Sequence, residues 1–346
     1  MRRRSDRFLK ALSTSASALV VTHNNPDPDA IATGWAAASL IRIRLEKEAH
    51  LVAGGAITRA ENLRMVQTLS PPLELVEDLT VGPEVAVVFV DCSPTADNHL
   101  LSETKTQPAA VIDHHIQTGL RFRTQFRDIR PKLVACSTIA SQYLREQGIE
   151  PSREMATGLL YGIISDAASS PVLTRPDRGA FSWLAHRADY NLLAAIQTAP
   201  LPRSHYRDLR SALNGAVVFQ DSVFCFLTRV EGPETVGELA DLMIRCEGME
   251  RALCAGVVGS DVLVSVRSTP NGTDASQIVR KCLRGFGQGG GHQNRAGGRI
   301  PCQGKSSQAR KELGETLRSR WLQACNLPDD GGSLLVGMTP RTDRES

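Results

Sequence analysis

Between residues 18 and 135, short apolar runs of strand length, the last of them a strand predicted at 132–135, alternate with helical stretches. The clearest run is Val85–Val90, which is continuous and rich in β-branched residues, as is typical of a strand buried on both faces of a sheet. Strands and helices that alternate in this way form parallel βαβ units. The sequence therefore predicts an α/β fold for this part of the chain, with a doubly wound, mostly parallel sheet.

The pattern changes after residues 198–203, where Pro200 and Pro202 stand close together and favour a linker. Hairpin strands are predicted beyond it, at 215–220 and 222–228, followed by alternating helices and strands. This pattern predicts a smaller α+β domain on a mixed or antiparallel sheet. The expected organisation is a first domain over residues 1–197, a linker over 198–210, a second domain over 211–326 and a loose tail over 327–346.

Composition restricts the class of protein. With 41% hydrophobic and 22% charged residues in 346, the chain is typical of globular proteins and unlike disordered ones. No apolar run approaches the roughly 20 residues of a membrane span, so no membrane contact is expected. The net charge is only +3 and aromatic residues make up 5%. A protein that coats long nucleic acids would be more basic or more aromatic, so any nucleic-acid ligand should be short.

The cysteines and the first residues indicate a cytoplasmic protein. The 8 cysteines include no CxxC pair, and most lie in apolar stretches, as expected of reduced thiols in a core. The segment from Met1 to Arg7 is basic and lacks the apolar core of a secretory signal. We expect it to be a frayed end.

Acidic and histidine residues stand where three of the predicted strands end. In open parallel sheets, ligands bind at the carboxyl ends of the strands, so these side chains are expected to meet at one edge. Another carboxylate closes an apolar helical run. The residues are His23, Asp27 and Asp29 after the strand at 18–22, Asp91 after Val85–Val90, Asp113, His114 and His115 after the strand at 109–112, and Asp166 after the helical run at 158–165.

The segment Pro26-Asp27-Pro28-Asp29 holds two carboxylates in a chain whose φ angles are restricted by two prolines. Taken alone, it could be a turn in which Asp29 caps the following helix, and Asp91 alone could be an ordinary residue at a strand end. Four separate segments that all place such side chains at the ends of elements favour one shared site.

Clustered carboxylates repel one another unless cations lie among them. Carboxylate oxygens and imidazole nitrogens suit Mn²⁺ or Mg²⁺, whereas thiolates would suit zinc. Two such ions about 3.5–4 Å apart can activate a bridging water and bind the oxygens of a phosphate that is being displaced. The residues therefore predict hydrolysis of a phosphate ester.

The second domain contains a candidate anion-binding segment. Contiguous glycines let backbone N–H groups approach an anion, and a nearby histidine and arginines supply positive charge. A flexible turn and a solvated strand end are the alternatives. The residues concerned are Arg267 and Ser268 at the end of a predicted strand, then Gly289, Gly290, Gly291, His292 and Arg295.

These motifs resemble, in order and spacing, those of the DHH phosphoesterase superfamily. The matching segments are His23 with Pro26-Asp27-Pro28-Asp29, Val90-Asp91, Asp113-His114-His115, and Ser165-Asp166. The glycine-rich segment and the pair Arg267-Ser268 resemble the substrate-binding domain that accompanies it. The superfamily includes RecJ exonucleases, manganese pyrophosphatases, exopolyphosphatases, cyclic-dinucleotide phosphodiesterases and nanoRNases.

The resemblance implies two divalent metal ions, with Mn²⁺ favoured over Mg²⁺. One ion would be held by His23, Asp27 and Asp91, and the other by Asp29, Asp91, His114 and Asp166. His115 would contact the substrate phosphate or donate a proton, and Asp113 would orient the histidines. Arg295 departs from the pattern, because many nanoRNases have an alanine at that position.

The expected function is that of a nanoRNase-like phosphodiesterase. It would cleave short RNA or DNA oligonucleotides and dinucleotides such as pGpG or pApA to mononucleotides, with 3′-phosphoadenosine 5′-phosphate phosphatase activity as a further option. A RecJ-like exonuclease and a manganese pyrophosphatase are alternative enzymes. A nucleotide-binding regulator without turnover is the alternative from another class. A homodimer is compatible with the sequence.

Overall fold

The computed structural model describes residues 3–104, 106–115, 122–167, 172–270, 272–291, 293–304 and 306–337. The chain divides into two compact units, Met1–Ala199 and Pro200–Ser346. Among the residues that the structure describes, no helix combines the length and apolar character needed to cross a membrane.

The first unit is built on a six-stranded sheet in which all pairs of neighbouring strands are parallel. The strand order is β3-β2-β1-β4-β5-β6, so the direction of winding reverses between β1 and β4. The predicted α/β class is confirmed. The strands are β1 (Ser17–Val21), β2 (Ala49–Ala53), β3 (Leu73–Leu75), β4 (Val85–Val90), β5 (Ala110–Asp113) and β6 (Phe126–Ile129).

The side chains of the central strands are buried on both faces, which explains their continuous apolar sequence. Val20 and Val88 pack with Ile41 of α2 on one face, whereas Phe89 packs with Leu101 from a connecting segment on the other. The helices of this unit are α1 (Arg4–Ala11), α2 (Pro28–Leu45), α3 (Ala60–Leu69), α4 (Cys136–Glu146), α5 (Arg153–Ala167), α6 (Arg175–Ala185) and α7 (Tyr190–Gln197).

Two local predictions for this unit are wrong. The basic start of the chain is not frayed, because α1 buries Phe8, whose ring centroid lies 5.8 Å from that of Phe126 and 5.7 Å from that of Tyr143. The strand predicted at 132–135 is absent, and β6 forms earlier at Phe126–Ile129. Residues 133–135 are apolar because they are buried where the chain enters α4.

The second unit contains a seven-stranded sheet, with the order β11-β12-β10-β9-β8-β7-β13. All neighbouring strands are antiparallel except β8 and β9, which are parallel, so the predicted mixed sheet of an α+β domain is confirmed. The strands are β7 (Val217–Phe219), β8 (Ser222–Leu227), β9 (Arg251–Val258), β10 (Asp261–Ser268), β11 (Gln288–Gly291), β12 (Arg295–Pro301) and β13 (Ser333–Leu334).

The second unit differs from the prediction at both of its ends. Most of the predicted linker over 198–210 is helical, because α8 begins at Arg203, directly after Pro202 at its N-cap. The predicted loose tail contributes β13, which pairs with β7. The helices are α8 (Arg203–Gly215), α9 (Pro233–Met243), α10 (Ala275–Leu283) and α11 (Ser307–Cys325).

Candidate metal centre

The carboxyl ends of β1, β4 and β5 bring the predicted acidic and histidine side chains together, at the place where the strand order reverses. Three groups of potential metal donors form there, and in each the donor atoms lie within 4.8 Å of one another. Asp91 belongs to all three. The groups are Asp29, Asp91, His114 and Cys136; His23, Asp27 and Asp91; and Asp91, Asp113 and His115.

His23 and Asp27 form one side of this cluster. Nδ1 of His23 lies 2.9 Å from the carbonyl oxygen of Asn24, while its Nε2 lies 3.9 Å from Asp27 Oδ2 and 3.8 Å from Asp91 Oδ2. The other oxygen of Asp27 accepts a hydrogen bond of 3.0 Å from the N–H of Ala30. Asp27 therefore caps α2, so the alternative in which Asp29 caps this helix does not hold.

Asp29 is fully buried, and its carboxylate faces the start of α4. It accepts hydrogen bonds from the backbone N–H groups of Cys136, at 2.6 Å, and Ser137, at 2.7 Å. The positive end of a helix stabilises a negative charge. Burial nevertheless raises the pKa of Asp29 above its ordinary value, against the opposing effect of His114 and the Ser137 hydrogen bonds.

His114 connects Asp91 with Asp166 of α5. Its Nε2 lies 3.4 Å from Asp91 Oδ1 and 3.5 Å from Asp166 Oδ2. Its Nδ1 lies 3.2 Å from the carbonyl oxygen of Leu133. Because a carbonyl oxygen can only accept a hydrogen bond, Nδ1 must be the donor. A proton on Nδ1 leaves the lone pair of Nε2 directed at the carboxylates, which is the form that ligates metal ions.

His115 is held by Asp113 rather than by a backbone carbonyl. Asp113 Oδ1 accepts a hydrogen bond of 3.0 Å from the backbone N–H of His115. The same oxygen lies 2.9 Å from Nδ1 of the His115 ring. Burial lowers the pKa of His115, but the hydrogen bond and charge of Asp113 outweigh it, and the net pKa lies above the ordinary histidine value. The side chain is 39% exposed. This arrangement suits a group that holds a proton and presents it to a ligand.

Asp91 has the least favourable surroundings for a negative charge. It is 3% exposed and its backbone adopts a left-handed φ of 57°. Burial, and then the neighbouring carboxylates of Asp29, Asp27, Asp166 and Asp113, raise its pKa well above the ordinary value. A divalent cation among these oxygens would remove the repulsion, so the donor set fits the metal ions that the sequence predicts.

Cys136 is a member of the cluster that the sequence does not predict. Its thiol is fully buried and lies 3.3 Å from Asp91 Oδ1, where it can donate a hydrogen bond. Burial and the nearby carboxylates raise the pKa of the thiol well above its ordinary value. Without a partner cysteine at a recognisable spacing, its sequence context resembles that of any other buried cysteine.

A cavity of about 380 Å³ opens onto the cluster. It is lined by His23, Asp27, Asp91, Asp113 and His115 and by residues of the segment after β4, among them Ser93. This volume lies in the range of cavities that bind small molecules of nucleotide size.

The second unit places the other predicted residues on neighbouring strands. Arg267 and Ser268 end β10, Arg295 begins β12, and the three glycines lie in β11, which pairs with β12 at the edge of the sheet. His292 lies outside the described residues. The carboxylate of Asp241 in α9, which no motif predicts, binds both arginines at 2.5 and 2.6 Å.

Close packing accounts for part of the glycine pattern. A Cβ atom at Gly289 would lie 3.0 Å from Leu283 and 3.1 Å from Val279 of α10, and one at Gly298 would lie 2.2 Å from Leu283. At Gly290, by contrast, a Cβ atom would meet nothing within 4 Å. Glycine is therefore required at Gly298, where a Cβ atom would also lie 2.6 Å from the backbone carbonyl oxygen of Gln288, whereas a Cβ atom at Gly289 would crowd the side chains of α10 and the packing leaves room at Gly290.

A parallel sheet with carboxylates and histidines at this edge is the arrangement that the resemblance of the motifs to the DHH phosphoesterase superfamily implies. Residues 17–163 match the family model described as "DHH family, N-terminal domain". The resemblance noted from the motifs is thereby confirmed.

Two relatives show how far the similarity extends along the sequence. An uncharacterised protein of Methanocaldococcus jannaschii is 30% identical over 91% of this chain and 65% of its own length. A probable manganese-dependent inorganic pyrophosphatase of Brevibacillus brevis is 33% identical over 51% of this chain and 56% of its own length. The chain thus spans somewhat more than half the length of these relatives.

Solved structures show the same fold over both units. An exopolyphosphatase-related protein from Bacteroides fragilis superimposes with a TM-score of 0.70 at 16% identity, covering 93% of this chain and 97% of that one. RecJ in complex with Mn²⁺ from Thermus thermophilus gives a TM-score of 0.53 at 15% identity, covering 94% of this chain and 55% of RecJ. At these identities the likeness is one of fold.

Proposed function

We propose that this protein is a metal-dependent phosphodiesterase that hydrolyses short oligonucleotides and dinucleotides, such as pGpG and pApA, to mononucleotides. The observation that carries the proposal is the position of Asp91, whose carboxylate is shared by three donor groups at the carboxyl edge of the sheet. A shared carboxylate is what two neighbouring metal ions need as a bridge.

The donor set divides naturally into two sites. His23 and Asp27 with Asp91 would hold one ion, and Asp29, His114 and Asp166 with Asp91 would hold the other. Nε2 of each histidine faces carboxylate oxygens while its Nδ1 is close to a backbone carbonyl. We favour Mn²⁺ over Mg²⁺ because imidazole ligands suit it better and because the Brevibacillus relative is described as manganese-dependent.

The ions would supply charge neutralisation for the phosphate and a more acidic water as nucleophile. The protein itself positions a proton. Asp113 fixes Nδ1 of His115 and raises its pKa, so that the imidazole stays protonated closer to neutral pH. His115 would bind a phosphate oxygen of the substrate or protonate the leaving oxygen.

The size of the cavity and the small net charge favour a short substrate. A cavity of about 380 Å³ matches a nucleotide in size, and a net charge of +3 supports few phosphate contacts. We propose that the second unit also binds a substrate phosphate, and that 3′-phosphoadenosine 5′-phosphate is a further substrate. The residues proposed for phosphate binding there are Arg267, Ser268, Gly289, Gly290, Gly291, His292 and Arg295.

Inorganic pyrophosphate is the second candidate substrate, because the Brevibacillus relative is a probable pyrophosphatase. Its similarity covers 51% of this chain, which is too little to decide the activity of the whole. We therefore place pyrophosphate second.

One assay separates these candidates. Purified protein with Mn²⁺ is incubated with pGpG, a long single-stranded oligonucleotide, pyrophosphate and 3′-phosphoadenosine 5′-phosphate, with Asp91→Ala as the inactive control. Turnover of pGpG is the expected result. Cleavage of only the long strand or only pyrophosphate would overturn the proposal, and tight nucleotide binding without turnover would indicate a regulator.

We also propose a cytoplasmic location. All eight cysteines lie among the described residues and are free thiols, seven of them buried. Free thiols are typical of a reducing compartment. Labelling of the denatured protein from native cells with a thiol reagent should modify all of them, and protected cysteines would count against this location.

A further inference from the structure

Two arginines stand directly opposite each other on neighbouring strands of the second unit. Arg267 of β10 is the register partner of Arg295 of β12. Like charges in such cross-strand positions destabilise a sheet. Here the carboxylate of Asp241 lies between them, with Oδ1 accepting from Nε of Arg267 at 2.5 Å and Oδ2 accepting from Nη2 of Arg295 at 2.6 Å. One negative charge thus bridges two positive charges, and the cluster keeps a net charge of +1.

The donors of Arg267 are directed into the protein. Its Nη1 donates to Ser265 Oγ at 2.7 Å and to the carbonyl oxygen of Val266 at 3.0 Å, and its Nη2 faces the carbonyl oxygen of Gly237 at 3.4 Å. The side chain is only 11% exposed. A guanidinium whose Nε and both Nη atoms already have protein partners has little left for a ligand.

Arg295 is in the opposite situation. Its side chain is 38% exposed, and within the described part of the chain its hydrogen bond to Asp241 uses Nη2 alone. The remaining N–H donors of a guanidinium held at one corner are well suited to a planar, two-point contact with a phosphate. Burial opposes the ionisation of Asp241, but the hydrogen bonds and charges of both arginines hold its pKa below the ordinary value, so the bridge stays anionic at neutral pH.

We propose that Asp241 is a positioning residue for phosphate binding, which holds Arg295 as the group that contacts a nucleotide phosphate while Arg267 serves as the buried support of the pair. The inference takes the nature of the ligand from the proposed function and changes one assignment within it: Arg267, named there among the phosphate-binding residues, supports Arg295 and does not itself contact the phosphate. It does not depend on the metal centre.

The first experiment measures binding of 5′-GMP to the full chain in EDTA by calorimetry, with guanosine as the ligand without phosphate. Arg295→Ala should weaken GMP binding about tenfold and leave guanosine binding unchanged. Arg299→Ala is the matched control: it removes another exposed arginine of β12, which pairs with Asp261, and should leave both affinities unchanged.

The decisive variant is Asp241→Asn. It makes the cluster more positive, so a purely electrostatic attraction would tighten GMP binding. If Asp241 positions Arg295, binding should instead weaken about five- to tenfold, and Asp241→Glu should restore most of it. In the Arg295→Ala background, Asp241→Asn should have little further effect, because the residue that it positions is gone.

The outcomes separate this inference from the phosphodiesterase proposal. Unchanged GMP binding in Arg295→Ala, or tighter binding in Asp241→Asn, would overturn the inference whatever the enzyme turns over. Loss of affinity in both variants, without any hydrolysis by the wild type in Mn²⁺, would support the inference and refute the proposed activity. Thermal unfolding of each variant shows whether a change in affinity reflects a change in folding.

Discussion

At the scale of single residues, the metal-free centre carries an electrostatic penalty at Asp91. Burial and four neighbouring carboxylates raise its pKa well above the ordinary value in the folded protein. The folded state therefore binds a proton that the unfolded state has already lost above about pH 4. Stability should fall as the pH rises from there through the folded-state pKa.

Urea unfolding in EDTA at pH 5 and pH 7 tests this prediction. The wild type should be less stable at pH 7 than at pH 5, and Asp91→Asn should reduce the difference. Asp97→Asn, a change at an exposed residue near the same cavity, should keep the wild-type dependence. An Asp91→Asn protein with the full wild-type slope would show that the penalty lies elsewhere.

The pair of Asp113 and His115 leads to a prediction for the reaction itself. Asp113 raises the pKa of His115 by a hydrogen bond and by its charge. If His115 acts as a proton donor, kcat should fall as the pH rises through this pKa. Asp113→Asn removes the charge, so this fall should begin at a lower pH. Profiles of kcat against pH for the wild type and Asp113→Asn test this prediction. If the alkaline limb of the profile did not move, His115 would not be the proton donor.

The sequence predicts which side chains form the centre, but only part of how they are held. The strand ends are recognisable because buried strands such as Val85–Val90 have a distinct composition, and the topology of a parallel sheet brings their ends together. The contacts of Asp29 with the N–H groups of α4, and of Cys136 with Asp91, depend on where α4 packs. No local pattern encodes that position.

At the scale of elements, the glycines of β11 have distinct roles that a substitution can separate. A Cβ atom at Gly289 would contact Leu283 and Val279 of α10 at 3.0 and 3.1 Å, whereas one at Gly290 would meet open space. Gly289→Ala should cost about 1–3 kcal/mol by overpacking, and Gly290→Ala should be nearly neutral. Chemical denaturation measures both, and equal losses would show that backbone conformation rather than packing is responsible.

The sequence predicts helices and strands correctly where apolar residues form a run or recur at a regular spacing, and it misses elements that lack such a pattern. The strand β4 matches the prediction at both ends, and the α/β class follows from such runs. The strand β11 consists of Gln288 and three glycines, so it has no side-chain alternation to detect. In α1 the buried Phe8 and Leu9 are hidden among arginines, and only their packing reveals the helix.

At the scale of the whole molecule, the two units have separate tasks and opposite local charge. The first unit gathers five carboxylates in one cluster, whereas the second holds a pair of arginines with a net positive charge. A net charge of +3 for the chain is the sum of such unlike regions. Near-neutrality is thus compatible with the proposed phosphate binding, because positive charge is concentrated locally at Arg267 and Arg295.

This division predicts how metal binding should affect stability. Every proposed metal ligand lies in the unit Met1–Ala199. A ligand that binds only the folded form stabilises it by about 2.7 kcal/mol at a concentration one hundred times its dissociation constant. Mn²⁺ should therefore slow amide hydrogen exchange in β1, β4 and α2, which carry or flank the ligands, and leave β9 and β10 of the second unit unchanged.

Hydrogen exchange followed by mass spectrometry, in Mn²⁺ and in EDTA, resolves these elements in the intact chain. Asp91→Asn is the control, because it removes the shared ligand and should abolish the protection without altering the second unit. If Mn²⁺ protected β9 and β10 as strongly as β1 and β4, the two units would unfold as one. That result would contradict the prediction that metal binding stabilises only the first unit. Protection confined to the first unit would show that metal binding stabilises only the sheet that carries the proposed ligands.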